Sequence, residues 1–371
     1  MSHLRLGVIG AGHLGRIHAR LAAQLPGATL VGVADPDPTA RAQVAEQLGV
    51  AVTPDYRALA DQIDAAIVAA PTTLHHDIAI ELAARKIHLL VEKPLASDAR
   101  QAAAIVRAAA RSNIVLQVGH VERFNPALAV AQPHVSEPKY IDAVRCGGYT
   151  FRSTDVGVVL DLMIHDLDIV LSLVRSPVRR VQALGLAVLG PHEDVAQARL
   201  EFDNGCVANL AASRVSYAGR REMQVWTPQG FASIDFAAKS TTLVSAAEPI
   251  VEREFDQRQL SPAEKEHLKS HLFEEVLPQR TAAGIDRNAL ADEQQDFVDS
   301  IRHGRAPRVS GEQAAKTIAL AERVLESIAR HQWDGHAAGR LGAMAIPATP
   351  ILRAPLWTGH PLPSDAQREA G

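Results

Sequence analysis

Three polar side chains at helical spacing inside an apolar run are the first place in this chain where chemistry could sit. The stretch Asp155 to Val174 reads DVGVVLDLMIHDLDIVLSLV. It has no proline, and its apolar residues are too continuous for a half-exposed strand, so a helix is expected. At about 100° per residue, Asp161, His165 and Asp168 share one narrow stripe, continued by Ser172. Almost everything else there is Val, Leu, Ile or Met. A surface helix carries an apolar stripe on a polar cylinder, and this one is inverted. Such a polar stripe is buried and must meet partners or line a cavity. Asp161, His165, Asp166 and Asp168 also argue against a membrane span. Carboxylates beside an imidazole suit proton transfer, because burial and neighbouring charge shift their pKa values. A satisfied hydrogen-bond network in a core would use the same residue types, so the rest of the chain must decide.

The second constellation lies at the start. Leu4 to Ile9 reads as a buried strand, Gly10-Ala11-Gly12-His13-Leu14-Gly15 follows, and a helical pattern runs from Arg16 to Leu25. A G-x-G-x-x-G string alone is weak; between a strand and a helix it becomes a dinucleotide fingerprint. Gly10 allows the tight turn, Gly12 lets the backbone approach a pyrophosphate, and Gly15 lets helix and strand pack closely. The phosphates then meet the helix N-terminus, with His13 and Leu14 beside them. A second strand, Thr29 to Ala34, ends in Asp35, twenty residues past Gly15. An acid there binds a ribose 2′-hydroxyl and repels a 2′-phosphate, which favours NAD over NADP. Asp35-Pro36-Asp37-Pro38 read in isolation is merely a turn; with the glycines it is the end of a nucleotide site.

These fingerprints need a scaffold, and the composition allows one. The chain has 371 residues, 47% hydrophobic, with a formal net charge of −4. That length suggests about two domains. The charge offers no basic patch for nucleic acid. Cys146 and Cys206 make neither a disulfide framework nor a metal-ligand pattern, and read as core residues of a reducing compartment. The N-terminus enters a strand at once, which leaves no room for a signal peptide. A soluble cytoplasmic protein is expected, without a membrane or nucleic-acid partner.

Further apolar strands place further residues. Asp64 to Ala70 closes on Pro71-Thr72-Thr73, and strand ends in a doubly wound sheet are where ligands bind. Pro71, Thr72 and His75 are therefore expected cofactor contacts. Ile87 to Val91 ends in Glu92-Lys93-Pro94, which puts Glu92 at the cofactor and projects Lys93 into the cleft. Asn113 to Val118 closes the domain. Beyond the buried helix the strands alternate apolar and polar residues, and Asp203-Asn204-Gly205 signals a hairpin. The expected fold is α/β: an N-terminal Rossmann domain, residues 1–122, with a doubly wound parallel sheet, and an α+β domain, residues 123–345, with an open, mostly antiparallel sheet. A Pro-rich tail, residues 346–371, has no periodicity. Residues 246–290 are charged and carry no readable pattern. One face of the open sheet needs a cover, and a homodimer or homotetramer through that sheet would supply it.

With these segments in view, the chain resembles the Gfo/Idh/MocA oxidoreductases. The likeness rests on GAGHLGRIH, on VEKPL around Lys93, on DLMIHDLD, and on FVDSIRHGRAPRVSGEQAAKTIALAERVLESI. It implies a Rossmann domain joined to an open-sheet domain and hydride transfer between a nicotinamide and a ring hydroxyl of a sugar or cyclitol. It matches the family's lysine to Lys93 and its aspartate and histidine to Asp161 and His165, with Asp168 closing the motif. Met163 stands where the family usually has glycine. A narrower likeness, carried by QVGHVERFNPAL, by the segment from Phe151 to Val174 and by ARLEFDNGCVANLAASRVS, is to the subgroup of UDP-N-acetylglucosamine 3-dehydrogenases. Those enzymes work beside an aminotransferase in making the 3-amino sugar of certain lipid A molecules. An inositol or another sugar remains an alternative substrate, and a non-catalytic NAD-binding regulator is a third reading.

Oxidising a secondary alcohol needs a base for the proton and an acceptor for the hydride. His165 serves as that base near neutral pH, or Lys93 does so directly if burial lowers its pKa. Otherwise Lys93 stabilises the developing alkoxide. Asp161 orients the ring or binds a neighbouring hydroxyl, and Asp168 orients His165 from behind. A nucleotide-sugar diphosphate calls for arginine forks, and Arg123, Arg152 and Arg214 lie in or beside the matched segments. Thr154 is placed to touch the sugar.

Overall fold

The computed structural model describes residues 3–151, 156–189 and 191–331. Arg152, Thr154 and the Pro-rich tail lie outside them. Strand sequences such as LRLGVI, AAIV and HLLVE are near-continuous apolar runs, the pattern of strands covered on both faces. They form a parallel sheet of β1 (Leu4–Ile9), β2 (Ala28–Ala34), β3 (Ala51–Thr53), β4 (Ala65–Val68), β5 (His88–Glu92) and β6 (Leu116–Gly119). Its order is β3-β2-β1-β4-β5-β6, with every pairing parallel. One core gathers Val68, Leu82, Leu89 and Ile105 on one side, and another gathers Leu6, Val8, Ile67 and Leu90 on the other. The strand order reverses between β1 and β4. The crevice beyond their C-terminal ends is the binding position of a doubly wound sheet.

The second sheet comprises β7 (Tyr140–Cys146), β8 (Val178–Leu186), β9 (Val195–Phe202), β10 (Val207–Ser213), β11 (Arg220–Thr227), β12 (Gly230–Asp235), β13 (Ser240–Ser245) and β14 (Gln279–Ala283). Its order is β14-β13-β12-β11-β7-β10-β9-β8, antiparallel except where β10 meets β7. Ala196, Ala198, Leu200 and Phe202 point into the core while Gln197 and Arg199 are exposed, the expected period of two. The hairpin turn forms where Asn204-Gly205 predicts it, with Gly205 at φ +83°.

The buried helix differs from one continuous α-helix beginning at Asp155. Val159–Met163 is a π-helical turn, and the α-helix proper is Ile164–Val174. Two contacts account for the wider turn. The Glu193 carbonyl and carboxylate take the amides of Val158 and Val159. The Lys93 ammonium takes the Asp161 carbonyl at 2.7 Å. A carbonyl recruited by a side chain is drawn out of the i→i−4 ladder.

The C-terminal helices return to the first sheet. Phe297, in the helix Ala289–His303, packs beside Leu6 and Val8. In the helix Gly311–Arg330, Ala314 and Ile318 join the core of Leu116 and Val118, while Val324 and Ile328 join that of the second sheet. One long helix thus clamps both sheets, and residues past 289 serve the Rossmann unit as well as the second. The charged segment 246–290 contributes two short α-helices, a π-helical turn Leu272–Val276 and the exposed strand β14. Its helix Pro262–His271 buries no residue and begins on a Ser261/Glu264 capping box.

Candidate active site

The glycine loop has the shape its sequence demands. Gly10 sits at φ +99°, and a Cβ there would lie 2.5 Å from the Ala69 carbonyl oxygen. A Cβ on Gly15 would lie 1.9 Å from the Gly10 oxygen, so the helix His13–Ala22 and β1 pack closer than any side chain permits. A Cβ on Gly12 would meet nothing within 4 Å. Its backbone borders open space, as a pyrophosphate cradle must. His13 and Leu14 are exposed on the first helical turn. Asp35 ends β2 and accepts from the Ala11 amide at 2.6 Å and the Asp37 amide at 2.8 Å. One carboxylate therefore fixes the glycine turn and stands at the ribose position. Pro71 caps the helix Thr72–Ala84 at the end of β4, with Thr72 in its first turn. This set of residues fits NAD.

Two expected cofactor contacts turn inward instead. His75 is buried, its Nδ1 2.9 Å from the Pro94 carbonyl and its Nε2 2.8 Å from the Ala70 carbonyl. Burial holds it below the ordinary histidine pKa. It ties the end of β4 to the turn after Lys93 and does not face the cleft. The Glu92 carboxylate pairs with His18 Nε2 at 2.7 Å and accepts from the Lys93 amide at 3.1 Å. Burial opposes its charge, yet His18 and Lys93 keep it below the usual carboxylate range. Glu92 sits behind the lysine, and alternation along β5 is the reason: a residue next to one facing the cleft faces away.

Lys93, Asp161 and His165 do come together. Lys93 Nζ donates to the Asp161 carbonyl at 2.7 Å and carboxylate at 3.2 Å, with both side chains under one-fifth exposed. His165 is half-buried by area, with its Nδ1 sealed and unpartnered. The surrounding protein, then the Lys93 and Arg145 cations, hold its pKa well below the ordinary value, so the ring is neutral. Edge-on to it, with centroids 6.2 Å apart, is His120, fully buried with neither ring nitrogen partnered. Asp168 lies behind the site but does not orient His165. It accepts from Arg123 at 3.3 Å and Thr317 at 3.5 Å.

Two of the three arginines expected at a phosphate, Arg123 and Arg214, are spent inside the protein, and the third, Arg152, lies outside the described residues. Arg123 is ion-paired to Asp168, and Arg214 to Asp194 at 2.7 Å with a second bond to the Val156 carbonyl. Several residues of the site were missed. Arg145 on β7 grips Asp166 through two bonds at 3.0 and 2.8 Å and Glu122 at 2.7 Å. The signal was there: Ile141, Ala143 and Arg145 share one inward parity, so an arginine was bound for the core. Below Lys93, the Glu293 carboxyl is fully buried, both its oxygens lack a partner, and its oxygen lies within 4.8 Å of atoms of Glu92 and His18. Burial, then the Glu92 charge, raise its pKa well above the usual value. His18 Nδ1 accepts from Gln294 Nε2 at 2.8 Å, which puts the ring proton on Nε2 toward Glu92.

Residues 4–120 match the family described as oxidoreductase family, NAD-binding Rossmann fold, and residues 135–233 match the Gfo/Idh/MocA C-terminal domain. A UDP-N-acetylglucosamine 3-dehydrogenase of Acidithiobacillus ferrooxidans is 38% identical over 64% of this chain and 75% of that protein. The chain belongs to the Gfo/Idh/MocA oxidoreductase family. A crystal structure described as the A. ferrooxidans enzyme superposes with a TM-score of 0.77 at 32% identity, covering 88% of this chain and 98% of that one. A scyllo-inositol 2-dehydrogenase (NAD(+)) of Bacillus subtilis is 33% identical over 59% of this chain and 70% of that protein. This Gfo/Idh/MocA member is thus an NAD-binding oxidoreductase with the family's two-unit α/β fold. Among the described residues no helix is long and apolar enough to cross a membrane.

Proposed function

We propose that the chain oxidises a ring secondary hydroxyl with NAD, and that its substrate is UDP-N-acetylglucosamine, converted to the 3-keto sugar. The observation that carries the chemistry is the meeting of Lys93, Asp161 and His165 at the mouth of the Rossmann crevice. The relative with that activity supports the substrate. Gly10, Gly12, Gly15 and Asp35 would hold NAD, which when bound supplies the hydride acceptor.

The residues then divide the work. Asp161 uses two acceptors on Lys93, which locks the ammonium and leaves one of its three N–H groups for a substrate oxygen. That positive charge stabilises the oxygen as it loses its proton. His165 enters turnover neutral, with a lone pair to take that proton. The cations that disfavour its protonated form make it release the proton afterwards. Arg145, Asp166 and Glu122 hold the helix that carries His165. The bare face of the second sheet, with Gln197, Arg199 and Asn209, supports assembly through that face.

A scyllo-inositol dehydrogenase relative supports a second reading, the same chemistry on a cyclitol. The test of the site is a pair of variants. Lys93→Met and His165→Ala retain NAD binding and lose turnover by about 10²–10³-fold, the loss seen when one donor to a developing oxyanion is removed. Turnover within threefold of the parent in both would discard this site.

A further inference from the structure

The cations around His165 are not equivalent. Lys93 is held by Asp161, and Arg145 by Asp166 and Glu122. Arg123 and Arg214, close by, are held by Asp168 and Asp194. Arg221 is exposed, and its guanidinium has no hydrogen-bond or ion-pair partner among the described residues. Its place is nonetheless defined. On β11 it shares the face of the fully buried Met223 and Val225, so it points to the helix side of the sheet. It stands directly opposite Arg145 in the antiparallel ladder, and opposed residues share a face. Its charge is felt at both His165 and Asp166. An unpaired arginine at the rim of a site whose other cations are neutralised is a free anion receptor.

The rim around it suits a nucleotide. β7 and β10 run parallel and end together at Cys146 and Ser213, and β11 begins there at Arg220. The loops leaving them are joined by the Ser216 amide on the Gly147 carbonyl. On these loops Tyr217 is fully exposed and Phe151 is 83% exposed. Aromatic faces in water beside a free guanidinium are what a nucleobase and its phosphates would cover.

We propose that Arg221 is the phosphate-binding residue of the substrate subsite, taking the diphosphate of a nucleotide sugar whose ring reaches His165. This rests on the reading that the substrate is a UDP-sugar. The test is titration of UDP into the NAD-loaded full-length protein, for the parent, Arg221→Ala and Arg221→Lys, together with KM and kcat for UDP-N-acetylglucosamine. The proposal expects Arg221→Ala to weaken UDP and raise KM by about 10–100-fold, the size of one charged hydrogen-bonding group. NAD affinity and the melting temperature stay at parental values, and Arg221→Lys recovers part of the loss. If the parent binds UDP and turns over the sugar while Arg221→Ala does so equally well, the subsite is elsewhere and the substrate reading stands. If the parent binds neither UDP nor the UDP-sugar but oxidises a free polyol, both the reading and this proposal fall.

Discussion

The carboxyl of Glu293 has no partner in a dry core, and its replacement has a calculable signature. It lies 0% exposed beside the strand end that carries Lys93, near the ionised Glu92, with both oxygens unbonded. Two charges cannot coexist there, so Glu293 keeps its proton when folded, as its raised pKa states. A native group that holds its proton more tightly than the unfolded chain stabilises fully below the unfolded carboxylate pKa. That contribution is lost as pH rises toward the folded pKa. Glu293→Gln keeps the shape and an N–H donor facing Glu92 but has no proton to lose. The variant is therefore expected to gain on the parent as pH rises. Each pH unit between the unfolded and the folded pKa is worth about 1.4 kcal/mol of that difference. At roughly 2–4 °C per kcal/mol for units of this size, the melting temperature at about pH 8 rises by several degrees. At about pH 4, below the unfolded carboxylate pKa, the two proteins melt together. Differential scanning calorimetry of the two proteins across that range is the assay, since titrating groups remote from this buried cluster cancel in the difference. A difference that does not change with pH, or a variant less stable at the alkaline end, would refute a protonated Glu293.

Three further outcomes follow from the same structure. Arg145→Met strands Asp166 and Glu122 in the interior and costs about 3–5 kcal/mol, read as a loss of roughly 10 °C in melting temperature. Because burial already raises the Asp166 pKa, that loss shrinks as pH falls. Gly12→Val and Gly15→Ala separate binding from folding. The first borders open space and keeps the parental melting temperature while NAD affinity drops more than tenfold, whereas the second meets the Gly10 oxygen and melts lower. Asp35→Ser removes the carboxylate that repels a 2′-phosphate and raises the NADP-to-NAD preference by about 10-fold or more, measured as the ratio of cofactor dissociation constants.

Much of this was legible because it is local. A strand, three glycines and Asp35 lie within one βαβ unit, and their spacing is set by backbone sterics that any reader of the sequence can apply. The polar stripe of Asp161 and His165 was legible because helical periodicity is rigid enough to project two side chains onto one face. The π-turn was not, since it arises when Lys93, sixty-eight residues away in sequence, takes the Asp161 carbonyl. Long-range pairing also decided the arginines. Arg123 and Arg214 look free in sequence but meet Asp168 and Asp194 across the fold, while Arg221 drew no notice and has no hydrogen-bond or ion-pair partner among the described residues. His75 and Glu92 turn inward for simpler, local reasons. Glu92 ends β5, where strand parity decides which side a residue faces, and His75 lies on the buried side of the helix Thr72–Ala84.

The central claim is a hydride-transferring site for a nucleotide sugar, and one measurement meets it head-on. Purified protein, NAD and UDP-N-acetylglucosamine are mixed with a glutamate-dependent aminotransferase that consumes a 3-keto sugar, and NADH absorbance is followed. The account predicts NADH formation that requires the nucleotide sugar, outpaces myo-inositol and scyllo-inositol under the same conditions, and disappears in Lys93→Met. Tight NAD binding with no NADH from the nucleotide sugar, and turnover of a cyclitol instead, would contradict it.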